Sequence, residues 1–176
     1  MKPLLVLLLL IAAPGAGAQS LRARCTERSW KSEDSAITDP IIRTTCYLKS
    51  FRFQKTAYAD YSGKYYEDGF SVFMRVKDRW VRTRNSRVFN KQQGRLLAGI
   101  NRRIREDWNF LRGDRENDRC FSDDDVLPVY RMDDLRISLS KNSISFSVEW
   151  NSSWACRPVS GSTVTYSLKA IAKYLR

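Results

Sequence analysis

Six apolar residues, Leu96, Leu97, Ile100, Ile104, Trp108 and Leu111, recur at intervals of three and four, and this stripe constrains the fold most. Residues so spaced share one face of a helix, so the pattern predicts a helix over 91–112 that needs an apolar partner. Asn90 is placed to cap its start, with Gln93 reaching back as in a capping box, and Gly113 to end it in a left-handed conformation. Arg95, Arg102, Arg103 and Arg105 fall off the stripe, towards solvent.

The partner is expected to be a sheet, because the remaining segments are short and alternating. Residues 41–53 are β-branched and aromatic and read as a strand, and 70–76 with 79–84 read as a hairpin about Lys77-Asp78. In that hairpin Phe70, Val72, Met74, Val76 and Val81 share the core face. Phe73, Arg75, Trp80, Arg82 and Arg84 share the other. Residues 127–131 read as a short strand. Leu135, Ile137 and Leu139 alternate, as do Ile144, Phe146, Val148 and Trp150, around a tight turn at Lys141-Asn142 where Asn tolerates positive φ. A short strand follows at 163–166, and Ser167 caps a short C-terminal helix with Leu168, Ile171, Ala172 and Leu175 on its apolar side. Residues 58–69, with Tyr58, Tyr61, Tyr65, Tyr66, Gly63 and Gly69, read as a loop or long turn. The expected fold is one α+β domain, an antiparallel sheet packed against one long amphipathic helix.

Residues 1–18 carry the pattern of an export signal. Lys2 precedes an apolar run from Leu4 to Ala13, Pro14-Gly15 breaks it, and Ala16-Gly17-Ala18 fits a small-residue cleavage site. The run is shorter than the about 20 apolar residues a membrane helix needs, and no later stretch reaches that length. Cleavage after Ala18 would leave a secreted or periplasmic domain over 19–176, with no transmembrane segment. Its cysteines, Cys25, Cys46, Cys120 and Cys156, are then expected to form two disulfides. Four cysteines allow three pairings; Cys25–Cys46 with Cys120–Cys156 is favoured because each pair lies within one half of the chain.

The chain has no histidine, which removes Ser-His-Asp and Cys-His machinery and most catalytic zinc sites. No phosphate-loop, dinucleotide or GxSxG motif occurs, and no cofactor or metal is expected. A hydrolase working with carboxylates alone would draw on acids such as Glu67, Asp68, Glu106 and Asp107, although adjacent acids usually form a solvated face. Asp114, Glu116, Asp118, Ser122 and Asp125 fall at positions of a calcium loop. Arg119 stands where that loop needs glycine, Asp125 where it needs Glu, and a charged loop tethered by Cys120 is the preferred reading. Asn151-Ser152-Ser153 is a glycosylation sequon, meaningful in a eukaryotic secretory host.

Charge points to binding. Without Lys2, 30 basic side chains stand against 19 acidic ones, a formal charge of +11. Residues 71–120 hold 14 basic and 6 acidic residues. Such a field attracts nucleic acid, acidic polymers or acidic proteins, and equally serves solubility. Arg75, Trp80, Arg82, Arg84 and Arg87, with Arg102 and Arg103 of the helix, are the candidate binding residues. Arginine forks grip phosphate and carboxylate, and aromatics stack on bases or sugars. The competing structural reading is that Arg75 and Trp80 form a cross-strand cation–π pair. The tyrosine cluster could likewise contact sugars or simply pack its loop.

From Leu96 to Arg176 the order of elements (an INRRI-type helix, the pair LRISL and ISFSVEW, a small-residue turn, then TYSLKAIAKYL) resembles the extracytoplasmic domain of RsiV-type anti-sigma factors and related secreted proteins. The resemblance implies a non-enzymatic α+β sensor domain; in that family lysozyme is a known ligand. This chain departs from it in its cleavable signal, its cysteines and the absence of the family's Gly- and His-containing segment, and its positive charge disfavours basic lysozyme. The expected function is non-enzymatic binding of an anionic polymer, acidic protein or envelope component. A specific protein-interaction module (inhibitor, immunity or sensor protein) and a carboxylate-based hydrolase are the alternatives. Oligomeric state is left open.

Overall fold

Alternation of side chains decides the strands, and hairpin turns order them. The computed structural model describes residues 21–33, 40–59, 65–122, 124–150, 156, 159 and 161–176, without the side chains of Tyr65, Asp68 and Asp118. The signal-like segment, Tyr61, Gly63 and the sequon lie outside it. Five strands, β1 (Arg24–Trp30), β2 (Ile41–Leu48), β3 (Phe51–Ala59), β4 (Tyr65–Val76) and β5 (Arg79–Thr83), form an antiparallel sheet in chain order. The helix α1 (Gln93–Arg112) follows, then an antiparallel three-stranded sheet of β6 (Arg136–Leu139), β7 (Ser143–Glu149) and β8 (Gly161–Ser167). The chain ends in α2 (Leu168–Ile171) and a 3-10 turn, Ala172–Tyr174.

Residues 41–53, read as one strand, are two. The chain reverses at Lys49-Ser50, between the paired Leu48 and Phe51, and Lys49 takes φ of 53°. A lysine accepts that left-handed conformation at modest steric cost, so the turn carries no glycine, asparagine or proline to announce it. Residues 58–69 are likewise strand rather than loop at both ends, closing β3 and opening β4. Gly69 (φ 65°) lies where the pairing shifts between Gln54 and Thr56, the left-handed residue of a β-bulge. A Cβ there would stand 3.1 Å from Thr56 Oγ1. The hairpin at Lys77-Asp78 forms as expected, and Lys77 has φ of 53°.

The inner face of the first sheet contributes Cys46, Leu48, Phe51, Phe53 and Val72 to the core. The second sheet adds Ile137, Leu139, Ile144, Phe146, Val148 and Val164. The stripe of α1 closes the seam: Leu96, Ile100, Ile104 and Trp108 are buried in the same cluster. Each fully buried side chain of this kind contributes about 1.5–3 kcal/mol. Trp108 meets Trp150 and Phe121 edge to face, at centroid distances of 5.2 and 4.9 Å.

The helix ends differ from expectation. Asn90 Oδ1 accepts from the Gln92 N–H (2.8 Å) and Asn90 Nδ2 donates to Lys173 O, so Asn90 ties the preceding turn to the C-terminus. The N-cap is Gln92, without a side-chain cap, and Gln93 Oε1 is buried without a partner instead of reaching back. Gly113 stays right-handed (φ −79°), because the chain continues turning into the 3-10 turn Arg115–Cys120. Asn142 does not take positive φ. Ser140 N–H donates to Ser143 O to close that turn, and Asn142 O accepts from Leu168 N–H. Ser167 caps α2 as expected, accepting from Ala170 N–H.

Both favoured disulfides are present, Cys25–Cys46 between directly opposed positions of β1 and β2, and Cys120–Cys156. No described helix is long and apolar enough to cross a membrane. Residues 127–131 are not a strand, because a side chain takes the place of a neighbouring strand. Asn101 of α1 accepts from Tyr130 N–H and donates to Tyr130 O, both at 2.9 Å. Asn101→Ala should therefore lower stability by about 1–2 kcal/mol and accelerate amide exchange at Tyr130 ahead of its neighbours. Unaltered exchange there would show that the segment is held by other contacts.

Candidate functional site

Because Cys46, Phe53 and Val72 point into the core, their strand neighbours must point out. Antiparallel partners share a face, so the outer face of the first sheet can be read in rows across the strands. The first row is Arg24, Tyr47, Arg52, Phe73 and Arg82, one residue from each strand, alternating cation and ring. The Arg24 guanidinium lies 5.5 Å from the Tyr47 centroid. That of Arg52 lies 4.2 Å from Phe73 and 5.2 Å from Trp80. The Tyr47 and Trp80 rings meet at 5.6 Å. Arg52 is thus boxed by three aromatics, half-buried, its Nε without a hydrogen-bond partner.

The second row is neutral: Thr26, Thr45, Gln54 and Ser71, with Gln54 Nε2 donating to Thr45 Oγ1 (3.2 Å). The third is basic again, with Arg28 opposite Arg43 and Arg43 opposite Thr56. Beyond it, Tyr58 and Tyr66 stack at 5.4 Å with 23° between their planes, and Arg43 sits 5.0 Å over Trp30. Rows two residues apart along a strand are about 6.8 Å apart. Two aromatic bands therefore bracket a hydroxyl and amide strip and a pair of arginines.

Of the expected binding residues, Arg75, Trp80 and Arg82 come together here. Arg75 opposes Trp80, but its ion pair is with Asp78 (3.6 Å), and the cation over Trp80 is Arg52. Arg84 leaves the strand and, with Arg82, Arg136, Asp133 and Asp134, lines a cleft of about 290 Å³ between β5 and β6. The acids of that cleft hold structure: Asp133 accepts from Ser86 N–H and Oγ, and Asp134 from Arg131. Arg87 is exposed on the 3-10 turn Asn85–Val88. Arg102 and Arg103 are not part of the face. They project from α1, across the core from the outer face, and pair with Glu106.

Sequence reasoning missed Arg43, Tyr47 and Arg52 because the turn at Lys49-Ser50 went unseen and β2 and β3 were read as one strand, and it missed Arg24 and Trp30 because the polar segment before residue 41 was not read as a strand. Alternation within Ile41–Leu48 and Phe51–Ala59, taken separately, would have found three of them. Three of the four acids named for hydrolysis have partners, and the side chain of Asp68 lies outside the described residues. Glu67 pairs with Lys55, Glu106 with Arg102 and Arg103, and Asp107 accepts from the Ser162 hydroxyl. In the calcium-like loop, Asp114 accepts from Glu116 N–H and Asp125 from Ser122 N–H. Among the described residues, no group of three His, Cys, Asp or Glu is arranged to hold a metal ion.

Two measurements probe this surface. Arg52→Ala removes the cation shared by Phe73 and Trp80 and should lower the urea midpoint by the equivalent of about 1–2 kcal/mol; an unchanged midpoint would show that the rings hold themselves. At the cleft, hydrogen bonds from the Arg131 side chain and backbone keep the Asp134 carboxyl below its usual 3.8. The unfolded chain binds that proton more readily, so the pair stabilises above this value and its contribution is lost below it, as pH falls through the lower value of the folded group. Asp134→Asn should accordingly lose less stability than the parent between about pH 5 and pH 2, and equal losses would contradict the assignment.

No protein-family model, curated protein or solved structure matches this chain, and the resemblance to RsiV-type domains gains no support from them.

Proposed function

We propose that this chain is an exported, non-enzymatic binding protein that engages an anionic macromolecule of the envelope or extracellular space through the outer face of its five-stranded sheet. The observation that carries this reading is the cross-strand ladder Arg24–Tyr47–Arg52–Phe73–Arg82. Arg24 and Arg82 are exposed and, among the described residues, stand in no ion pair, so their donors are available to a ligand. The rings between them give a rigid apolar floor, and guanidinium groups grip carboxylate and phosphate oxygens two at a time. Two closed disulfides fit the oxidising compartment that the signal pattern implies.

A second reading, a specific protein-interaction module, draws on Phe110, Val126 and Val129, large apolar side chains exposed away from the sheet. Salt separates the two: ion-driven binding weakens steeply as salt rises, whereas an apolar contact survives it.

The test is elution of the oxidised protein from immobilised heparin along a salt gradient. Arg24→Glu with Arg82→Glu should weaken retention at least about tenfold at fixed salt while leaving the melting temperature almost unchanged. Arg102→Glu with Arg103→Glu should weaken it less. Equal losses from the two pairs would mean that net charge, not this face, holds the polymer.

A further inference from the structure

We infer that the ligand of the outer face is a linear acidic polysaccharide carrying about one carboxylate for every two sugars. This rests on the anion-binding reading above and adds the identity of the polymer. Three features of the face converge on it.

The first is charge spacing. In the ladder, cations occupy every second strand, so Arg24, Arg52 and Arg82 follow one another at about 9.6 Å, twice the strand separation. Along the strands the next arginines, Arg28 and Arg43, come two rows later, about 13.6 Å on. A nucleic acid strand offers a phosphate about every 3.4 Å in duplex form, far denser than these cations. A glycan with an acid on alternate sugars offers anions at roughly the interval the arginines repeat.

The second is the neutral row. Thr26, Thr45, Gln54 and Ser71 put hydroxyls and an amide between the two basic rows, a mixture of donors and acceptors that matches sugar hydroxyls, whereas a phosphate backbone would use only the donors. Gln54 and Thr45 are already bonded to each other, which fixes their orientation.

The third is the state of the rings. Phe73 and Trp80 are covered by Arg52, and Tyr58 and Tyr66 are stacked on one another. No slot stands open between parallel rings for a base to enter. The half-buried rings, with the Arg52 guanidinium laid over Phe73 and Trp80, instead form a surface on which a sugar ring can lie. From the Tyr47–Trp80 band to the Tyr58–Tyr66 band the path is about 20 Å along the strands, long enough for several sugars in a row.

The experiment is calorimetric titration of the oxidised protein at low salt with three probes: a hyaluronan decasaccharide, its carboxyl-reduced form and a twenty-residue oligothymidylate. Hyaluronan should bind best, and carboxyl reduction should weaken binding at least about tenfold. Gln54→Ala and Tyr58→Ala should each weaken it roughly threefold or more. Tighter binding of oligothymidylate, insensitive to Gln54 and Tyr58, would overturn the polysaccharide assignment and leave the anion-binding face standing. No binding of any probe, together with unaltered heparin retention of the Arg24→Glu, Arg82→Glu variant, would remove both.

Discussion

Burial of one helical stripe governs this molecule. Ile100 and Ile104 are completely enclosed, in one cluster with buried residues of both sheets. Neither sheet could keep its apolar side dry alone: the three-stranded one is small, and the five-stranded one has an almost wholly exposed first strand. The helix packs against β8, the two sheets meet where β3 and β4 touch β6, and Trp108 packs edge to face on Trp150 and Phe121. Sidedness elsewhere follows from this choice of interior.

Once Cys46, Phe53 and Val72 are committed inwards, pleating places Tyr47, Arg52 and Phe73 outwards with no further freedom. The outer surface is therefore as well ordered as the core, though nothing covers it among the described residues. Arg24, Arg43 and Arg52 lie over rings, which lowers the entropy they lose on meeting a ligand. Arg102 and Arg103 of α1 are instead matched to Glu106 on their own helix.

Much of this was legible in the sequence. The stripe of α1, the pairing of the β4–β5 hairpin, the cap at Ser167 and both disulfides follow from periodicity, residue chemistry and proximity. But Val76 and Val81, expected on the core face of that hairpin, are exposed at the sheet's edge. Where reading failed, the cause was local backbone chemistry without its usual residues. Lys49 takes a turn conformation normally left to glycine or asparagine, and this hid the division between β2 and β3, and with it Tyr47 and Arg52 of the ladder. Asn101 acts as a strand for Tyr130, a long-range substitution that no local pattern encodes. Residues 58–69 looked like a loop because a bulge at Gly69 breaks the alternation of β4.

The bond between Cys25 and Cys46 has a consequence beyond stability. The first strand buries almost none of its own side chains, yet it carries Arg24, Arg28 and Trp30 to the rim of the outer face. One covalent cross-link fastens that rim to the rest of the sheet. The breadth of the surface on offer thus answers to thiol chemistry: oxidised, the platform is locked at five strands wide; reduced, its margin is held by non-covalent pairing alone, and peeling there would take two cations and a ring with it.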